Sequence, residues 1–63
     1  MSVTRDLENI RRLAQKRWDK IKDDKEYSWS KEDALVYAWE TYNEYHDVDL
    51  LSDEYDDLLN SIV

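Results

Sequence analysis

The chain contains no cysteine, glycine, proline or phenylalanine, and only one histidine. Without cysteine there is no disulfide, and without a His/Cys cluster there is no zinc site, so neither staple can reinforce the fold. Without glycine, no phosphate-cradling loop of the usual kinds can form. Lacking both glycine and proline, the chain also lacks the usual residues of tight β-turns. A lone imidazole, His46, excludes a metal pair or relay built from two histidines. No apolar run approaches the ~18–20 residues of a membrane span. The N-terminus has no apolar segment of the secretory type. The expectation is therefore a soluble, cytoplasmic protein, a reading that the missing cysteine also fits.

What is present is short and highly charged. Sixty-three residues make one domain (1–63), near the lower size limit for an unaided core. Charged residues are 40% of the chain, which would suit disorder, but eight aromatics at helical spacing argue against it. Charge is unevenly placed. Residues 1–26 carry eight of the nine Lys/Arg and six acids, whereas residues 27–63 carry Lys31 alone against ten acids. The first part is thus +2 and the second −9, which together give the net −7. Such a chain repels nucleic acid and acidic lipid and suits a basic partner.

Periodicity predicts an all-α, compact three-helix domain with helices at about 3–22, 31–46 and 52–62. In the first, Val3, Leu7, Ile10, Ala14, Trp18 and Ile21 form one apolar face, with Leu13 at its edge. Ser2 or Thr4 is its N-cap, and Glu8 stands four residues before Arg12 in the orientation that favours a surface pair. Arg5, Arg12 and Lys16 share the outer side, but Glu8 and Asp19 interrupt them, so a nucleic-acid patch is not expected. The connection after Lys22 is polar, and Tyr27 and Trp29 bracket Ser28 at the open end of the core.

The second helix carries the most information. Ser30 followed by Asp33 has the spacing of a capping box, with Trp29 and Ala34 placed as a weak hydrophobic staple. At ~100° per residue, Leu35, Ala38, Trp39, Tyr42 and Tyr45 fall inward, with Ala34 and His46 flanking. Asp33, Glu40, Glu44 and Asp47 fall outward in a narrow band that also contains Tyr37. Asp47-Val48-Asp49 resembles the start of a calcium loop but lacks its glycine and its final glutamate, so no metal is expected. In the third helix Tyr55, Leu58, Leu59 and Ile62 face the core, while Asp53, Asp56 and Asp57 extend the acidic surface.

No nucleophile elbow and no room for a pocket of pKa-shifted carboxylates are apparent, so the chain reads as a non-enzyme without cofactor. The aromatics serve as core bulk, their polar groups reaching water. The segment Trp29-Ser30-x-x-x-Ala34-Leu35-x-x-Ala38-Trp39 resembles one found in small helical proteins of phages and prophages of Gram-positive bacteria, some encoded in anti-CRISPR loci. Those proteins often continue with a lysine-rich helix end, where this chain has Glu40-Thr41-Tyr42-Asn43-Glu44. The resemblance implies a small inhibitor that blocks a host component; several such inhibitors are acidic and imitate DNA phosphates. The function expected is an acidic inhibitor binding a basic, nucleic-acid-handling protein through Asp33, Tyr37, Glu40, Glu44 and Asp47, assisted by Asp53, Asp56 and Asp57. The alternative is a self-assembling helical module, a homodimer built on a strip of Trp39, Tyr42 and Leu59.

Overall fold

The computed structural model describes residues 3–63, with side chains from residue 5 onward. The chain folds as α1 (Val3–Ile21), α2 (Lys31–Asn43) and α3 (Ser52–Ser61), a compact all-α arrangement. α1 already includes Thr4 in its first turn, so Thr4 is not its N-cap; Ser2, the other candidate, lies outside the described residues, as do the side chains of Val3 and Thr4.

The two longer helices lie antiparallel. Tyr42, at the end of α2, meets Asp6 and Asn9 near the start of α1, while Tyr37 meets Arg17 further along it. The surface between them is built from small and branched residues. Ile10 and Ala14 of α1, and Ala34, Leu35 and Ala38 of α2, are all essentially sealed from solvent. Val48, Leu58 and Ile62 complete the buried cluster from the second connection and α3, and Leu7, Trp18, Trp39, Tyr42, Leu50, Tyr55 and Leu59 pack around it. Trp39, Tyr42 and Leu59 are therefore committed to the core rim, and the exposed strip required by a homodimer built on them is not formed. Those rings point inward because both polar handles find partners inside the fold.

The capping box forms as its spacing requires. Ser30 Oγ accepts the Asp33 N–H at 3.3 Å, and Asp33 Oδ2 accepts the Ser30 N–H at 2.9 Å. α3 has half of this device, since Glu54 Oε1 accepts the Leu51 N–H at 3.0 Å and leucine offers nothing in return. Among the described residues the Glu8–Arg12 pair of α1 does not close; Lys22 Nζ, one residue past the end of α1, pairs with Asp19 Oδ1 at 3.3 Å.

α2 ends at Asn43, three residues before the expected limit. Asn43 Oδ1 accepts the Val48 N–H at 2.7 Å, and Trp39 Nε1 donates to the Val48 carbonyl at 2.9 Å. These two bonds draw the chain across the helix end and seat Val48 in the core, a place that periodicity did not assign to it. The last turn closes on Tyr42, whose carbonyl accepts the N–H groups of Tyr45 and His46. Beyond it Tyr45 is 79% exposed, where the sequence pattern had placed it inward. His46 is exposed too, its ring stacked on Tyr42 with centroids 4.4 Å apart.

Two further contacts hold the ends. Gln15 clamps the last residue: its Nε2 donates to the Val63 carbonyl, and its Oε1 accepts the Val63 N–H, each at 2.9 Å. In the first connection, Asp24 accepts from Trp29 Nε1 at 3.1 Å and from the Glu26 N–H at 3.0 Å. Donation by Trp29, then by Glu26, holds the Asp24 carboxyl below its ordinary value of 3.8. The carboxylate is the form that these donors favour, so this support is present above pH 3.8 and is lost as pH falls through the lowered value. Trp29 also lies against Tyr27, ring centroids 4.4 Å apart.

A chain of 63 residues has only about 3–9 kcal/mol of stability. Leu35→Ala, which opens a cavity at the fully buried centre, is expected to cost ~2–5 kcal/mol. Tyr45→Ala should stay within ~0.5 kcal/mol. Urea denaturation of both variants followed by far-UV circular dichroism checks the pair, and an equal loss for Tyr45→Ala would restore α2 to its longer, expected form.

Candidate functional site

The outward face of α2 is positioned by its inward one. With Ala34, Leu35 and Ala38 buried against α1 and α3, Asp33, Glu40 and Glu44 are turned to solvent, and all three are exposed. From Asp33 to Glu44 the helical rise covers ~16 Å. Asp33 is tied into the cap through one carboxylate oxygen. The side chains of Glu40 and Glu44 form neither an ion pair nor a hydrogen bond among the described residues. Asp47 is exposed as well, but it lies past the helix end, so the angular register that grouped it with the other acids does not apply.

Tyr37, read from the sequence as a ring among carboxylates, stands at a boundary instead. It is 49% exposed, and the Arg17 guanidinium lies over its ring at 4.2 Å. That is a cation–π contact at an exposed site. Leu13, Lys16 and Lys20 of α1 share a groove with this pair. The acidic ridge is therefore bordered on its α1 side by cations. The sequence offered a hint in Leu13 at the edge of the apolar face, but nothing said which α2 residue Arg17 would meet.

On the other side the ridge continues into α3. Asp53, Asp56 and Asp57 are exposed opposite the buried Leu58. Tyr55 places α3 beside the carboxylates at the head of α2. Burial is the main cause that raises its phenol above the ordinary 10.0, and the negative charges of Glu32, Asp56 and Asp33 push it further. Carboxylates at the head of α2 and one from α3 thus act on a single hydroxyl. Glu32 is the link, a residue not singled out from the sequence because it sits a quarter-turn from the outward band. Its place on the α3 side of the helical wheel was the available signal.

Among the described residues, no group of three His, Cys, Asp or Glu is placed to hold a metal ion, and no helix is long and apolar enough to cross a membrane. In comparisons with known proteins, no family model matches the chain, and no curated protein or solved structure matches it significantly. The residues that carried the resemblance to small phage proteins have structural work here: Ser30 caps α2, Ala34, Leu35 and Ala38 are buried, and Trp39 packs at the rim.

One seam contact is open to titration. Tyr42 Oη donates to Asp6 Oδ1 at 2.7 Å and accepts from Asn9 Nδ2 at 3.2 Å. The Asn9 bond is the largest single influence and favours the phenolate. Asp6, as acceptor and as charge, together with desolvation outweighs it and raises the phenol above 10.0. A raised value in the folded state means this support holds below pH 10.0 and is lost as pH climbs through the folded value. Alkaline absorbance titration should show phenols ionising late, and Tyr42→Phe should shrink that late fraction, leaving the share of Tyr55. An unchanged late fraction in Tyr42→Phe would show that the Asp6 bond does not form.

Proposed function

We propose that this chain is a non-enzymatic interaction protein whose acidic ridge occupies a basic, phosphate-binding surface on a nucleic-acid-handling protein. The observation that carries this reading is the pair Glu40 and Glu44, exposed on the last turns and C-cap of α2 and, among the described residues, in no ion pair. Carboxylates held in a row present charge as a nucleic-acid backbone does, displace the same counterions from a cationic groove, and gain from electrostatic steering. Asp33 and Tyr37 extend the row toward the head of α2. Glu32, Asp53, Asp56 and Asp57 widen the negative field around it, and Asp47 adds to it beyond the helix end. Tyr37 supplies the aromatic anchor that interface centres favour.

In its narrower form the proposal is an inhibitor of the kind phages direct against host nucleic-acid enzymes, anti-CRISPR proteins among them. Small size and concentrated negative charge support that form. The segment 29–39 adds little, because its side chains build the cap and the core.

The test is a competition. The chain is immobilised and exposed to a nuclease-treated bacterial lysate, then washed with duplex DNA. Expected are nucleic-acid-binding proteins that DNA releases and that Glu40→Lys/Glu44→Lys fails to retain, with helicity unchanged. Capture that survives both the DNA wash and the double reversal would overturn the reading.

A further inference from the structure

The cationic border of the ridge has a shape of its own. Two grooves along the α1–α2 seam share Leu13 and Lys16. Arg17, Lys20 and Tyr37 complete one, and Asn9, Arg12 and Tyr42 complete the other. No carboxylate lines either groove. Leu13 remains 38% exposed and Tyr37 49%, so the floor is partly apolar and the rim is positive. One face of the molecule thus carries a basic seam and an acidic ridge side by side.

We propose that this face is self-complementary, and that the occupant of the basic seam is the Asp33–Glu40–Glu44 ridge of a second copy of this chain. The proposal is independent of any basic target. Its geometry follows from the antiparallel pairing of α1 and α2, in which Tyr37 is level with Arg17 and Tyr42 with Asn9. A two-fold axis parallel to these helices and passing over Tyr37 lays each ridge into the other copy's seam. Asp33 then falls opposite Lys20, and Glu40 opposite Arg12 and Lys16. An axis across the helices would instead set acid against acid. Residues 9–20 and 33–44 cover equal runs of helix, ~16 Å each, so the two strips match in length. The contact is isologous, each patch answering its complement in the partner. Leu13 and Tyr37, both partly exposed, would be covered between the two copies.

Net charge opposes the pairing, since each copy brings −7. At ~0.15 M salt the Debye length is ~8 Å, so distant acids are screened while touching pairs persist. A standard interface takes ~800 Å² from each partner, about a sixth of the 4921 Å² surface here. A strip of this length sits at the small end, which makes the dimer weak and concentration-dependent.

Sedimentation equilibrium of the full chain from about 10 μM to about 1 mM, at ~0.15 M salt, reads this directly. The expected mass rises from 7.7 kDa toward twice that value. Amide resonances of residues 12–20 and 33–44 should move with dilution in the same samples. Glu40→Lys/Glu44→Lys changes the net charge from −7 to −3, because each reversal adds two. If repulsion alone governed association this variant would pair more tightly; the proposed contact requires weakening by about tenfold or more, ~1.4 kcal/mol. Arg12→Glu/Lys16→Glu should weaken it likewise, and the fourfold swap, at the original net charge and with Asp33 still opposite Lys20, should restore it. A monomer throughout, resonances moving elsewhere, or tighter pairing of the Glu→Lys variant would overturn the proposal. So would a chain that stays monomeric while polyglutamate or duplex DNA fills the seam. Should a variant fail to fold, the wild-type dilution series decides.

Discussion

The close approach of α1 and α2 over alanines is the constraint from which the rest follows. Ala14, Ala34 and Ala38 are all sealed from solvent beside Ile10 and Leu35, and such small side chains let two helix backbones come near. Little else holds so short a chain: it has no cysteine for a disulfide, and its third helix is only ten residues long. A tight helix pair excludes water from a narrow strip and leaves the outer two-thirds of each helix to solvent. That is why a domain with so small a core carries so much charge. It is also why the charge on each helix must fall into stripes.

Aromatic residues finish what the alanines begin. With no phenylalanine available, large rings come with a polar atom that needs a partner when it leaves water. Trp39 donates to the Val48 carbonyl, Tyr42 to Asp6 and Trp29 to Asp24. No buried side-chain nitrogen or oxygen is left unpartnered among the described residues. Trp39 and Tyr42 therefore do two things, each packing at the edge of the core and fixing one connection or helix end, while Trp29 pins the first connection. The Trp39 bond is the most consequential, since together with Asn43 it stops α2 and sends Val48 inward.

These roles mark how far the sequence could be read. Local rules were legible: the Ser30–Asp33 box, the apolar periods of α1 and α3, and the outward turn of Glu40 and Glu44 all depend on residues within a few positions of each other. The end of α2 was not, because the helical period runs on through Tyr45 and His46 and only the tertiary bonds to Val48 interrupt it. Gln15 gave no sign of its clamp on Val63, forty-eight positions away. The same holds for Arg17 over Tyr37. A helical wheel assigns each residue a direction on its own helix, but it does not say what stands across the seam. The boundary of the candidate site was therefore hidden while its centre was plain.

That boundary changes what the acidic ridge is. A row of carboxylates in open water would serve any cationic surface equally. Here the same row ends, on one side, at a rim of arginine and lysine, and any partner that covers both must present positive and negative charge in the matching order. Electrostatic complementarity of that kind contributes selectivity more than affinity, because a wrong partner meets like charge. A second copy of the chain satisfies the order by symmetry, and a basic protein satisfies it where a carboxylate borders its phosphate-binding groove. Since both occupants would lie on Asp33, Glu40 and Glu44, they exclude one another. Self-association would then lower the concentration of chain free to bind a target, in proportion to how much of it is paired.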